Sequence, residues 1–113
     1  MINYYNNLEH SFMNFEVEFN VPRSEIYDAF VNPNKVSMYT RSPSKFEGEE
    51  FSMIDGSIQG KFIQQRQNEY IKMLWKFKEW KEFSTVELIF KEDDDDECTL
   101  IINQSNLPKE MTG

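Results

Sequence analysis

The sequence predicts an α+β domain: one curved antiparallel β-sheet with two short helices inserted after its first strand. Three observations lead there. Apolar and polar residues alternate over several stretches, most strongly from Tyr70 to Trp80, where Ile71, Met73, Trp75 and Phe77 share one face. Only the stretch following Pro22 departs from that alternation into helical spacing. Turn formers such as Asp55-Gly56 and Gln67-Asn68-Glu69 separate the alternating stretches, so neighbours join as antiparallel hairpins.

The elements follow in order. Residues 1–12 are Asn- and Tyr-rich without a clear period and are expected to form a loose arm. Met13, Phe15, Val17 and Phe19 alternate with Asn14, Glu16, Glu18 and Asn20, the pattern of a half-buried strand. Pro22 suits the first turn of a helix, and Ile26, Tyr27, Ala29 and Phe30 give that helix an apolar side ending near Asn32-Pro33. A second helix, roughly Asn34 to Thr40, carries Val36 and Tyr39 and is broken by Arg41-Ser42-Pro43-Ser44. A meander follows. Phe51–Ile54 turns at Asp55-Gly56 into Ser57–Gln67, and Gly60 is expected to mark a turn or bulge. Tyr70–Trp80 places Lys72, Lys76 and Lys78, with Leu74 between them, opposite its apolar face. Val86, Leu88 and Phe90 form the inward side of the next strand, and Cys98, Leu100 and Ile102 that of the last.

Composition narrows the function classes. The 113 residues suffice for one domain, and ten Phe with five Tyr can fill a core, which excludes a low-complexity disordered chain. No apolar run reaches the ~20 residues of a membrane span, and no signal sequence opens the chain. A single Cys makes the cytoplasm the expected compartment. The net charge of -8 argues against a broad nucleic-acid-binding surface. That charge is concentrated: Glu92–Glu97 is six acids in a row, expected as a loop, and without it fourteen acids face twelve bases. Lys61–Lys81 is locally +4, six bases against Glu69 and Glu79. A nearly neutral body with an acidic tip and a basic strip suits docking to a protein.

A sheet of this kind has an apolar face to cover, and two short helices cannot cover five or six strands. The order of motifs bears on this. Val21-Pro22-Arg23-Ser24-Glu25-Ile26-Tyr27-Asp28-Ala29-Phe30 resembles the first helix of START-like, Bet v 1-type helix-grip domains. Phe51 to Phe62 with its Asp-Gly turn, and Ile71 to Trp80 with Trp-x-Phe-Lys-x-Trp, resemble one branch of them. That branch is the C-terminal domain of the activator of heat shock protein 90 ATPase. Ser84–Phe90 and Thr99–Pro108 fall in the same order, so the resemblance covers nearly the whole chain. It differs at Gly48-Glu49-Glu50, where the family usually has Gly-Gly.

The resemblance implies a non-catalytic co-chaperone that binds heat shock protein 90 and modulates its ATPase cycle, by stimulating it. It also implies a long C-terminal helix across the sheet and, in full-length activators, a separate N-terminal domain. Here the domain is expected over 13–108, without that helix and with 109–113 as a tail. The face formed by Met73, Trp75, Phe77, Val86, Leu88 and Leu100 is then expected to be bare. Several hundred Å2 of such surface would forfeit on the order of 5–10 kcal/mol. Self-association through it, or its closure by the N-terminal arm, is the corresponding expectation.

The candidate partner-binding residues are Lys72, Lys76, Lys78, Trp80 and Lys81, because Trp and clustered cations are favoured at interface hot spots. No catalytic residue, metal site or cofactor is expected. His10 is the only His, so no His-based triad or multi-His metal site can exist. The acidic run lacks the ligand spacing of a calcium loop, and no phosphate-binding glycine motif occurs. Cys98 falls at an inward strand position and is expected as a small core residue. The alternative reading is a START-like small-molecule or lipid carrier, against which stands an inward face crowded with Trp, Phe and Met.

Overall fold

The computed structural model describes residues 2–6 and 11–107, with the side chains of 12–107. The elements are β1 (Ile2–Asn6), β2 (Ser11–Phe19), α1 (Arg23–Val31), α2 (Pro33–Thr40), β3 (Lys45–Glu47), β4 (Glu50–Met53), β5 (Ile58–Arg66), β6 (Tyr70–Phe77), β7 (Ser84–Asp94) and β8 (Glu97–Leu107). All strands join one antiparallel sheet in the order β1-β2-β8-β7-β6-β5-β4-β3. The two helices carry the chain from β2, beside β8, to β3 at the far edge. On the way α1 packs against β7 and β8, and α2 against β4. This is the expected α+β helix-grip architecture, a curved sheet with two helices after its first long strand.

Local chemistry explains the helix ends. Asn32 closes α1 through its N–H, which donates to Asp28 O, and caps α2, its side chain accepting from Asn34 N at 3.0 Å. Pro33 then occupies the first turn of α2, where its missing N–H costs nothing. α2 ends at Arg41 in the left-handed region, φ 55°, a place more often held by Gly.

The core is built on ring contacts. Tyr27 and Phe30 of α1 meet Phe90 of β7 edge-on, with centroids 5.3 and 6.0 Å away. Phe46, Phe51 and Phe62 form a second cluster across β3, β4 and β5. Between them lie Ile71, Met73, Val86, Leu88 and Leu100.

The structure corrects several expectations. Residues 2–6 do not form a loose arm; they pair with β2 from Ile2 opposite Phe15 to Asn6 opposite Ser11. β3 follows the expected helix break at Arg41–Ser44, in a stretch where no element was expected. The acidic run is mostly strand: β7 extends to Asp94, β8 starts at Glu97, and only Asp95-Asp96 turn. Exposed acids on both faces of a hairpin tip remain hydrated, so backbone pairing continues beneath them. Gly60 is not the bulge, which falls between Phe62 and Gln64. β6 ends at Phe77, so Lys78 lies in a turn rather than on the strand face.

The inward face is also better covered than expected. Met73, Val86, Leu88 and Leu100 are buried, and only Trp75 and Phe77 of the six named residues are half-buried. The crossing helices and the packing of side chains within the sheet account for this. Among the described residues no helix follows β8, and none is long and apolar enough to cross a membrane.

Candidate functional site

The five residues singled out for partner contact fall in three settings. Lys72 lies on the outward face of β6, half-buried, between Gln64 of β5 and Glu87 of β7. Glu87 also accepts a hydrogen bond from the Tyr70 hydroxyl at 2.5 Å. Burial, then this bond, pushes the Tyr70 phenol up to about 12. Lys76 closes the β6–β7 connection: its Nζ donates to Trp80 O at 3.1 Å and lies 5.2 Å from the Phe83 ring centroid. Lys78 and Lys81 are exposed in that connection, beside exposed Glu79, Glu82 and Phe83. The Lys78 N–H anchors the turn on Ser57 O at 2.9 Å.

Trp80 departs from expectation most. Rather than projecting at the end of a basic strip, it is 8% exposed and folds back on Trp75 and Phe77. The three rings pack mutually edge-on, with centroids 4.8 to 5.7 Å apart. The Lys78-Glu79 turn reverses the chain and brings Trp80 onto the open end of the apolar face. Sequence alternation cannot show this, because it assumes a strand continuing straight through Trp80. Lys78 and Lys81 remain exposed beside Glu79 and Glu82, Lys72 stands apart on the outward face of β6, and the charge of Lys76 is partly engaged by its own turn.

A second charged region stands at the other end of the sheet. Glu16, Glu18, Lys91, Asp93, Glu97 and Thr99 border an open groove of about 700 Å3. The Thr99 hydroxyl donates to Asp93 Oδ2 at 2.5 Å, and Lys91 Nζ lies 3.7 Å from Asp93 Oδ1. Arg23 reaches Glu92 at 3.6 Å and donates to Phe90 O at 3.3 Å, tying α1 to the end of β7. Cys98 is buried at the inward position expected of it, and burial followed by the charge of Asp93 raises its thiol pKa. Among the described residues no group of three or more His, Cys, Asp or Glu is placed to hold a metal ion. His10 lies outside the described residues.

A third feature is an open cleft of about 650 Å3 where α1 faces the β5–β6 turn, bordered by Tyr27, Asp28, Lys35, Gln65 and Asn68. Asp28 pairs with Lys35 at 2.6 Å, and this hydrogen bond raises the Lys35 pKa. Burial raises the Tyr27 pKa. It is a polar surface cleft, unlike the apolar cavity of a lipid carrier.

Fold and surface therefore define a helix-grip domain whose notable exterior features are charged faces at the two ends of the sheet. The chain belongs to the family of activator of Hsp90 ATPase homolog 1-like proteins, whose family model matches residues 20–112. Activator of 90 kDa heat shock protein ATPase homolog 1 of Homo sapiens is 35% identical over 71 residues, 58% of this chain and 21% of that protein. The Hsp90 co-chaperone AHA1 of Saccharomyces cerevisiae is 27% identical over 103 residues, 82% of this chain and 29% of that protein. The chain thus spans less than a third of either relative. A crystal structure of an HSP90 activator from Plasmodium falciparum matches with a TM-score of 0.78 and 28% identity, over 84% of this chain and 74% of that one. CalU16 from Micromonospora echinospora, at 19% identity and a TM-score of 0.72 over 98% of this chain and 71% of that one, shares the fold.

Proposed function

We propose that this protein is a co-chaperone domain that binds a heat shock protein 90-type chaperone in the cytoplasm and stimulates its ATPase cycle without bond chemistry of its own. The observation that carries the reading is the match to an HSP90 activator in sequence and in fold, within a family match over residues 20–112. An activator of this kind works by differential binding. Tenfold tighter binding to the ATP-hydrolysing conformer than to the open one shifts that equilibrium by about 1.4 kcal/mol.

The docking face in this reading is the β6–β7 connection, where Lys78 and Lys81 are exposed beside Phe83, itself 37% exposed, with Lys72 on the neighbouring outward face of β6. Cations steer an acidic partner surface, and the exposed ring supplies apolar contact area. Trp80, packed on Trp75 and Phe77, and Lys76, bonded to Trp80 O, hold this connection in shape. The test is chaperone ATP turnover with and without the protein, alongside pull-down. Stimulation with salt-sensitive binding supports the reading. Binding without a change in turnover points to a scaffold, and absence of both overturns it.

A further inference from the structure

Residues 42–44 link α2 to β3 outside any helix or strand. Backbone bonds fasten this link on two sides. The N–H groups of Arg41 and Ser42 donate to Ser37 O, the latter at 3.2 Å, which ties it to the end of α2. The Asp55 N–H donates to Pro43 O at 3.0 Å, which ties it to the turn between β4 and β5. Most hydroxyls here are engaged. Ser37 Oγ and Ser44 Oγ lie 2.6 Å apart, Ser44 Oγ donates to Pro33 O at 2.8 Å, and Thr40 Oγ1 donates to Val36 O at 2.8 Å. Ser42 Oγ differs: half-buried between exposed Arg41 and Pro43, it has no partner among the described residues.

The residues around this hydroxyl match one class of enzyme. Four prolines occur in the chain, and only Pro43 follows a Ser or Thr. Lys45 stands at the third position after Ser42. A serine kinase whose groove seats proline directly after the acceptor, and a base three residues on, reads that pattern. Pro43 disfavours a helical backbone at Ser42, as an extended kinase substrate requires. Arg41, Pro43 and Lys45 are all exposed, so the groups such a groove would read face solvent.

We infer that Ser42 is a phosphorylation site for a proline-directed serine kinase, and that phosphate there unfastens the link from α2 and from the β4–β5 turn. In the reaction Ser42 Oγ bonds to the γ-phosphorus of ATP, and the bond from that phosphorus to the departing ADP oxygen breaks. The hydroxyl proton passes to the carboxylate base of the kinase. The product carries a charge of about -2. It stands just past the C-terminal end of α2, whose unpaired carbonyls form a negative pole. The bond from Asp55 to Pro43 also brings the exposed Asp55 carboxylate within one residue of it. Both repel the phosphate. Exposed Arg41 and Lys45 attract it from the solvent side, so attraction and repulsion alike draw it away from Ser37. The site does not depend on the chaperone reading.

The test treats the full chain with a cyclin-dependent kinase and magnesium ATP, read by intact mass with fragmentation and then by amide hydrogen exchange. One phosphate, located at Ser42, is expected on the native chain. Ser42→Ala, which removes no hydrogen bond within the protein, should fold and take up none. Pro43→Ala should slow incorporation about tenfold or more. In the phosphorylated chain the Ser42 and Asp55 amides are expected to exchange about tenfold faster or more. The amides of buried Leu88 and Leu100 should be unchanged. No incorporation, or incorporation that persists in Ser42→Ala, would overturn the site. An unaltered rate in Pro43→Ala would overturn the kinase class. Phosphate at Ser42 with both amides exchanging as before would overturn the unfastening.

Discussion

The ring of Phe51 lies where a side chain on Gly60 would have to be. The two residues are cross-strand partners on β4 and β5, and a β-carbon on Gly60 would stand 2.1 Å from Phe51 Cζ and 2.4 Å from the Leu74 carbonyl oxygen. Gly60 is therefore required by the close approach of a ring and a neighbouring strand. Gly60→Ala is expected to destabilise the fold by about 2–3 kcal/mol or more. Chemical denaturation measures this. Phe51→Leu in the same background should recover only part of the loss, since the Leu74 backbone cannot retreat.

The burial of Trp80 separates stability from recognition. Trp80→Ala removes a ring packed on Trp75 and Phe77 and is expected to cost about 3–5 kcal/mol. Trp80→Phe should retain most of that stability and, because the side chain is inward, leave chaperone affinity close to wild type. A large affinity loss in a fully folded Trp80→Phe protein would place this ring in the interface.

Lys78 and Lys81 are the cleaner probes of the proposed docking face because both are exposed. K78E/K81E is expected to shift stability by no more than about 0.5 kcal/mol. It should lower chaperone affinity about fivefold or more at low salt, with the difference shrinking as salt is added. Lys76→Glu is a poorer test, since it also breaks the contacts with Trp80 O and the Phe83 ring. Titration of each variant with the chaperone at two ionic strengths distinguishes them.

Tyr70 gives the fold an alkaline limit. Its phenol is raised from 10.0 to about 12, first by burial and then by the bond to Glu87. The folded state therefore holds this proton more tightly than the unfolded chain. That contribution is complete below pH 10 and is lost as pH climbs from 10 toward 12. Tyr70→Phe should flatten stability across this window, and a phenolate absorbance titration should show a late-titrating Tyr, besides the raised Tyr27, that the variant lacks.

Cys98 provides a reporter of opening. Buried in β8 with its thiol pKa raised, it should resist alkylation in the native state and react readily once the chain is unfolded. Native labelling as fast as in denaturant would contradict the placement of β8.

Much of the architecture was legible because it rests on local patterns. The alternation in β2, β6, β7 and β8 follows from each strand having one buried side, and Pro33 with Asn32 marks the junction of the helices. The Asp-Gly turn is likewise local, although it recruits Ile54 as well: Ile54, Asp55 and Gly56 all have positive φ, at 51°, 54° and 87°. A β-branched residue in that region is strained and could not have been anticipated from the dipeptide. Lys45–Glu47 has too few residues to display a period and is a strand only because β4 supplies its partner.

The sequence by itself determined the α+β class, both helices, the inward set of core residues and the family. Those depend on residue chemistry repeated at a fixed spacing. Only the tertiary structure decided that β1 pairs with half of β2, that Trp80 turns inward, and that Lys72 and Lys76 part company with Lys78. Each of these depends on where the chain reverses and on which strand lies alongside, and a one-dimensional pattern carries neither.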